Sequence, residues 1–184
     1  PFLPVSLFKE LKLKSIPDDQ IFKIITSSGT SGQAVSRIYL DRSTAALQQK
    51  VLVKIVSSVT GTMRLPMLII DCPSVIKDRQ SFSARGAGIL GFSIFGSDRT
   101  YALDDDMQIN VPVIIDFLER YRNQKILLFG FTFMIWQHFY KELLKTKETI
   151  DLSNAILIHG GGWKKLVAEK VSPIAFNQSL HNVC

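Results

Sequence analysis

Three glycine-containing segments hold the residues whose types and spacing could bind a ligand. The first, residues 26–32, reads Thr-Ser-Ser-Gly-Thr-Ser-Gly and follows an apolar stretch. Glycines let a backbone turn sharply and expose successive N–H groups, and hydroxyls add donors of little bulk. Such a loop suits the phosphates of a nucleotide, although it lacks the Gly-Lys-Ser/Thr ending of a Walker A loop. The alternative interpretation is a Ser/Gly-rich surface turn between two strands.

The second segment runs from Gly86 to Gly91 and formally matches the dinucleotide pattern Gly-x-Gly-x-x-Gly. That pattern has meaning only between a strand and a helix. The preceding residues 78–85 are polar and unlike a buried strand. We therefore expect these glycines to serve tight helix packing. An NAD(P)-dependent oxidoreductase that uses Gly86 to Gly91 is kept as the rival enzyme class.

The third segment, residues 159–165, reads His-Gly-Gly-Gly-Trp-Lys-Lys and follows the apolar residues 155–158. Glycines at the carboxyl end of a strand let a flat ring approach the backbone closely. The alternative is a strand-to-helix connection that needs unusual backbone dihedrals. One glycine would serve that purpose, so three glycines favour a ligand.

Periodicity predicts the elements that position these segments. Strands are expected at residues 20–26, 35–40, 65–71, 125–129 and 155–159, and helices at 7–11, 42–59, 80–95, 111–121, 132–144 and from 163 onward. Ser6 and Asp41 are the expected N-caps of the first two helices. This alternation indicates an α/β fold with a mostly parallel sheet and flanking helices, here as a single α/β domain over residues 1–184. We expect residues 27–32 and 160–162 to lie on the same side of the sheet.

Composition excludes several other classes of protein. The chain has 184 residues, a formal net charge of +6 and 46% apolar residues, which is ordinary for a globular domain. Its basic residues are scattered, so no nucleic-acid stripe is expected. The longest apolar run, residues 126–136, is too short to span a membrane. The two cysteines, Cys72 and Cys184, favour neither a disulfide framework nor a metal site, and a cytoplasmic location is expected.

The glycine segments resemble those of a known family. Residues 27–32, Ser-Ser-Gly-Thr-Ser-Gly, resemble the phosphate-binding signature of adenylate-forming enzymes, Ser-Gly-Thr-Thr-Gly-x-Pro-Lys. Together with Pro-Val-Ser-Leu-Phe-Lys at 4–9, Ser-Ala-Arg-Gly-Ala-Gly at 83–88 and His-Gly-Gly-Gly-Trp-Lys at 159–164, this segment resembles LuxE-type acyl-protein synthetases over the whole chain. These are the fatty-acid-activating components of bacterial bioluminescence reductase complexes.

The resemblance implies an acid–thiol ligase that uses ATP and Mg²⁺. A long-chain fatty acid would be activated as an acyl-adenylate and transferred to a protein thiol, with a reductase or an acyl-carrier protein as partner. It also implies roles for particular residues. These are a phosphate cradle at Ser27, Ser28, Gly29, Thr30, Ser31 and Gly32, an adenine wall at Gly160, Gly161, Gly162 and Trp163, and an acyl path beside Phe131 and Phe133. For Phe131 and Phe133, an equal alternative is that they belong only to a buried strand and to the start of a helix.

Departures from the signature limit what the resemblance implies. The Pro-Lys of the signature aligns with Ala34 and Val35 of this chain, so the signature's lysine is absent. Arg37 is the nearest basic residue that could replace that lysine. The family's magnesium glutamate, ribose-binding aspartate, catalytic lysine and C-terminal lid domain have no counterpart here, so no catalytic residue is assigned. We expect a partial adenylate-forming domain that is inactive by itself. A non-catalytic nucleotide-binding scaffold is the remaining alternative.

Overall fold

A computed structural model of the chain describes residues 3–26, 34–77, 84–146 and 149–184. The chain divides into two compact units, Pro1–Gly61 and Thr62–Cys184. Each unit is described by itself.

The first unit contains two strands and two helices. They are α1 (Leu7–Glu10), β1 (Lys23–Thr26), β2 (Arg37–Leu40) and α2 (Arg42–Thr60), with a 3₁₀ turn at Asp18–Gln20. β1 and β2 pair antiparallel in a two-stranded sheet of their own. The predicted phosphate loop 27–32 therefore follows a strand that belongs to this sheet and not to the parallel sheet of the second unit. The loop itself lies outside the described residues.

The two predicted N-caps of this unit have different outcomes. The Asp41 carboxylate accepts a hydrogen bond from the Thr44 N–H at 2.6 Å, which satisfies a donor in the first turn of α2. The prediction at Ser6 is wrong, because its backbone is already helical and its side chain makes no capping hydrogen bond. α2 ends at Thr60, and the next residue, Gly61, has a φ of 84°, a positive value that glycine adopts without strain.

The second unit is built on a four-stranded parallel sheet. Its strands are β3 (Leu65–Ile70), β4 (Gly96–Tyr101), β5 (Ile126–Phe131) and β6 (Ala155–Gly160), in the order β4-β3-β5-β6. β3 and β5 are almost continuously apolar, as expected for strands that are buried on both faces. β4 was not predicted, because its sequence Gly-Ser-Asp-Arg-Thr-Tyr is polar. It can be polar because it is an edge strand of this sheet.

Helices cover both faces of the sheet. They are α3 (Ala84–Phe92), α4 (Val111–Arg120), α5 (Thr132–Met134), a π-helical segment (Ile135–Tyr140), α6 (Lys141–Thr146) and α7 (Pro173–His181), with 3₁₀ turns at Pro73–Ile76, Ser93–Phe95 and Lys164–Glu169. On one face, Leu68 and Leu128 pack with Ile114 of α4 and Phe139 of the π segment. On the other face, Phe92 of α3 stacks on Phe129 at a centroid distance of 4.4 Å.

The predicted helix from residue 163 onward is wrong over its first ten residues. A 3₁₀ turn at Lys164–Glu169 occupies that position, and α7 begins only at Pro173. Lys164 has a φ of 51°, which a right-handed helix does not allow. Pro173 also disfavours a helical conformation at the residue before it, and Ser172 caps α7 instead.

The strand order places a ligand crevice at a definite edge of the sheet. The chain runs from β3 outward to β4 and then crosses back to β5 on the other side of β3. In a doubly wound parallel sheet, ligands bind beyond the carboxyl ends of the strands at such a reversal. The predicted α/β class is confirmed. Among the described residues, no helix is both long and apolar enough to cross a membrane.

The glycines from Gly86 to Gly91 lie inside α3, so the helix-packing interpretation is the one that the structure supports. A dinucleotide fingerprint needs these glycines in the turn between a strand and a helix. A Cβ placed on Gly88 would lie 2.7 Å from Cζ of Phe131, whereas one placed on Gly91 would meet nothing within 4 Å. The absence of a side chain at Gly88 therefore lets α3 approach the end of β5.

Replacing these two glycines with alanine tests this packing. Gly91→Ala should stabilise the protein by up to about 1 kcal/mol, because alanine is the better helix former. Gly88→Ala gains the same propensity but must displace the Phe131 ring, and overpacking costs about 1–3 kcal/mol. Urea unfolding should therefore give a higher free energy of unfolding for G91A, and a lower one for G88A, than for the unsubstituted protein. Equal gains in both variants would contradict the close approach of α3.

Candidate functional site

The glycine segment after β6 lies at the carboxyl edge of the parallel sheet. Gly161 has a φ of 78°, and a Cβ there would lie 2.9 Å from Cδ1 of Phe131. At Gly160 and Gly162, neither of which has a positive φ, a Cβ would meet nothing within 4 Å. The fold therefore requires glycine only at Gly161. The other two leave open space above the backbone.

Thr132, the first residue after β5, holds this segment in place. Its Oγ1 lies 3.1 Å from the Gly160 carbonyl oxygen, 3.2 Å from the Gly161 carbonyl oxygen and 3.1 Å from Nδ1 of His159. Carbonyl oxygens only accept hydrogen bonds, so the single Thr132 hydroxyl proton points to them. The hydroxyl oxygen then accepts from His159 Nδ1–H. This assigns the neutral His159 tautomer that leaves Nε2 as an acceptor.

The His159 ring stacks on Phe176 of α7 at a centroid distance of 5.0 Å and an interplanar angle of 23°. Desolvation lowers the pKa of His159 below its ordinary value of 6.5, because the packed part of the ring cannot hydrate a charge. His159 is therefore neutral at pH 7. It offers a hydrogen-bond acceptor there and no positive charge.

A cavity of about 460 Å³ lies beside the glycine segment, and we call it the glycine-side cavity. Trp163 lines it and also packs edge-on against Trp136 and Phe176, so this side chain serves both the cavity and the core. The lining residues come from the start of α5, the end of β6, the segment that follows β6, and α7: Thr132, Leu157, His159, Gly161, Trp163, Lys170, Val171, Pro173, Phe176, Asn177 and Leu180. The cavity has the size and the mixed lining of a small-molecule site.

Glu169 fastens the Lys164–Glu169 turn to the π segment. Its carboxylate accepts from Trp136 Nε1–H at 3.2 Å and pairs with Lys141 Nζ at 2.5 Å. These contacts lower the pKa of Glu169, the Lys141 hydrogen bond most, so the carboxylate stays ionised at neutral pH. The wall that contains Trp163 is thereby tied to the helix that follows β5.

Sequence reasoning missed an ion pair at the carboxyl end of β3. The Asp71 side chain is only 1% exposed, and its Oδ2 lies 2.9 Å from Nε of Arg85 in α3. Neither atom has a hydrogen-bond partner of good geometry among the described residues. Burial raises the pKa of Asp71, while the hydrogen bond from the Cys72 N–H and the Arg85 charge oppose that rise. An acidic residue directly after a buried strand was the signal available in the sequence.

The other predicted site residues fall in different places. Ser27 to Gly32 lie outside the described residues. Phe131 packs between Gly88 and Gly161, and Phe133 packs with Cys72, Leu103 and Met134. Among the described residues, the wall of the glycine-side cavity includes neither phenylalanine. Residues 3–26, 34–77, 84–146 and 149–184 bring no three His, Cys, Asp or Glu side chains together around a possible metal ion.

Comparison with known proteins decides the family. A family model described as acyl-protein synthetase, LuxE, matches residues 1–184. The chain belongs to the LuxE acyl-protein synthetase family. Members of this family are enzymes that activate a fatty acid and transfer its acyl group, and the predicted resemblance is confirmed. Neither a search of curated proteins nor a search of solved structures found a match for this LuxE-family chain.

Alanine substitutions along the glycine segment should separate fold from ligand binding. Gly161→Ala should cost about 1–2 kcal/mol, because a Cβ strains the left-handed backbone and also meets Phe131. Gly160→Ala and Gly162→Ala should change the free energy of unfolding by no more than about 0.5 kcal/mol. Thermal and urea unfolding measure all three variants. Equal destabilisation at all three positions would show that the segment is required only by the fold.

The Asp71–Arg85 pair generates a prediction about pH. Arg85→Met leaves a buried carboxylate without its counter-charge, which should cost about 3 kcal/mol at pH 7, the lower end for a broken buried pair, because Arg85 is 29% exposed. Because the pKa of Asp71 is higher in the folded protein than in the unfolded chain, protonation of Asp71 stabilises the fold. This stabilisation is complete below the pKa of the unfolded chain and is lost as the pH rises through the pKa of the folded protein. The R85M defect should therefore shrink towards pH 4.

The double variant is the control for this pair. Asp71→Asn in the R85M background removes the buried charge, so it should recover most of the lost stability at pH 7. A defect in R85M that does not depend on pH, or that D71N fails to relieve, would mean that Arg85 acts through packing alone.

Proposed function

We propose that this chain takes part in ATP-dependent activation of a long-chain fatty acid as its acyl-adenylate. A carboxylate oxygen of the acid attacks the α-phosphorus of ATP, and the bond to the bridging oxygen of the β-phosphate breaks to release pyrophosphate. A protein thiolate then attacks the acyl carbonyl, forming a thioester and releasing AMP. This proposal refines the acyl-protein synthetase activity that family membership gives.

The observation that carries the ATP proposal is the glycine-side cavity. Its wall combines the flat side chains of Trp163 and Phe176 with backbone at Gly161. The open space above the neighbouring Gly160 and Gly162 would let a planar ring lie against the main chain. These features fit an adenine ring at the carboxyl edge of a parallel sheet, where nucleotides commonly bind.

His159 gives this cavity a means to select the base. Its Nε2 is an acceptor in the tautomer that Thr132 holds. The exocyclic amine of adenine is a donor, whereas the corresponding position of guanine or hypoxanthine carries a carbonyl oxygen. We infer that Nε2 accepts from the adenine amine. A carbonyl oxygen there would face a lone pair and leave the His159 acceptor unpaired.

We propose that Ser27 to Gly32 hold the phosphates through backbone N–H groups and hydroxyls, which stabilise the charge that gathers on phosphate in the transition state. Mg²⁺ is proposed to arrive bound to the ATP phosphates, a common mode for this ion.

Neither cysteine is a suitable acyl acceptor in this structure. Cys72 is buried, and desolvation raises the pKa of Cys184 to about 11, which leaves almost no thiolate at neutral pH. We therefore propose that the acceptor thiol is another one, with an acyl-carrier protein or a reductase as partner. A cytoplasmic setting, where thiols stay reduced, would suit this chemistry.

Nucleoside binding tests the proposed base selection without any phosphate chemistry. Adenosine should bind about tenfold more tightly than inosine, because with inosine one hydrogen bond is lost and the His159 acceptor is left unpaired. His159→Phe retains a ring against Phe176 but removes the acceptor, so it should abolish the preference. Adenosine affinity should also fall as the pH drops through the lowered pKa of His159, because protonation turns Nε2 into a donor. Calorimetry measures all three effects.

Two results bear on the wider proposal. ATP binding to this chain would support the nucleotide site. Fatty-acid-dependent exchange of labelled pyrophosphate into ATP by this chain supplemented with the family's C-terminal lid domain, and not by this chain alone, would support acyl-adenylate formation. Equal affinity for adenosine and inosine would remove the role of His159 alone. Failure of ATP itself to bind would remove the adenylate proposal.

A further inference from the structure

A second cavity of about 500 Å³ lies under the sheet, on the face that carries α4 and the π segment, and we call it the core cavity. Its inner wall consists of Ile70, Leu128, Ile135 and Phe139, each no more than 2% exposed. The rest of its wall is less buried and includes the exposed polar side chains of Asp151, Ser153, Asn177 and His181, so the core cavity opens to solvent above an apolar floor. Its size is that of a ligand site.

The π segment builds one wall of the core cavity. Ile135 and Phe139 both belong to Ile135–Tyr140, which directly follows α5 at the carboxyl end of β5. π-helical turns are rare and frequently occur at functional sites. Here the segment contributes side chains to both the packed core and the cavity wall. This placement is a second, independent indication that the space is not a packing defect.

The core cavity adjoins the glycine-side cavity. Both cavities are lined by Leu157, Asn177 and Leu180. Along β6, Ala155, Leu157 and His159 alternate onto one face of the sheet. Ala155 lines the core cavity, His159 lines the glycine-side cavity, and Leu157 lies on the wall between them. A ligand in one cavity therefore lies next to a ligand in the other.

From these observations we infer that the core cavity holds the hydrocarbon chain of the fatty acid, with the carboxylate directed past Leu157 towards His159 and Gly161. This inference rests on the proposed function, which needs the carboxylate next to the nucleotide. From Ala155 to His159, β6 spans about 13 Å at roughly 3.3 Å per residue, so the path suits a long flexible chain. Asp151 lines the core cavity and precedes the start of β6, so it would repel a carboxylate that lay beside Ala155 and not beside His159.

Phe131 and Phe133, the residues named from the resemblance as an acyl path, have another role in this arrangement. Phe131 is held between two glycines, and both Phe131 and Phe133 pack against the cluster of Cys72, Leu103 and Met134. The side chains that set the length of the acyl chain are instead Ala155 and Phe139, because they bound the core cavity away from His159 and Gly161.

Substitutions of opposite sense at these two positions test the inference. The parent protein should bind saturated fatty acids about fourfold more tightly for each added methylene until the cavity is full. Ala155→Phe fills part of the cavity, so this rise should stop at a shorter chain. Phe139→Leu enlarges the cavity, so the rise should continue to a longer chain. Displacement of a fluorescent fatty acid by acids of 8–18 carbons, roughly the range of common lipids, gives the affinities.

Controls separate this inference from the proposed function and from misfolding. Ile174→Phe, on the exposed side of α7, should leave the chain-length profile unchanged. ATP affinity should be the same in all three variants, which also shows that they are folded. Opposite shifts in A155F and F139L support the core cavity whether or not ATP binds. Normal ATP binding with unchanged profiles in both variants would overturn it.

Discussion

The end of β5 is the point on which the rest of the second unit depends. The Phe131 ring occupies the space that side chains at Gly88 and Gly161 would otherwise fill. These two close approaches bring α3 against one part of the ring and the turn after β6 against another. The next residue, Thr132, hydrogen-bonds the same turn through its hydroxyl. Two consecutive residues thus position both the packing helix and the candidate site.

The sequence predicted elements whose stability comes from local pattern. β3 and β5 are apolar runs, and Asp41 caps α2, so both kinds of signal are visible without the fold. The sequence did not predict β4, because the register of β4 against β3 stabilises this polar strand from outside its own sequence. The helix predicted from Trp163 is absent at first because Lys164 has a positive φ, a conformation that its residue type does not signal.

The candidate site was predictable only in outline. Glycines after a strand indicated a place where a ligand can approach backbone, and the structure places Gly161 and Trp163 on one cavity. The contacts that give the site its chemistry join residues distant in sequence. Thr132 and His159 are 27 residues apart. No spacing rule relates such pairs, because the strand order and not the chain brings them together.

Strand β6 lines both the core cavity and the glycine-side cavity, so one short element can contact both the fatty acid and the nucleotide of the proposed function. Alternation along a strand directs Ala155, Leu157 and His159 to the same face. Each of these residues lies nearly 7 Å from the next one along the strand. Ala155 and Leu157 are apolar and line the core cavity, whereas His159 supplies a polar acceptor near the sheet edge. Polarity therefore rises from Ala155 to His159 along this face of the strand. Under the proposed function, this gradient and the negative charge of Asp151 would together orient a fatty acid, because burial favours its tail beside Ala155 and hydrogen bonding favours its head beside His159.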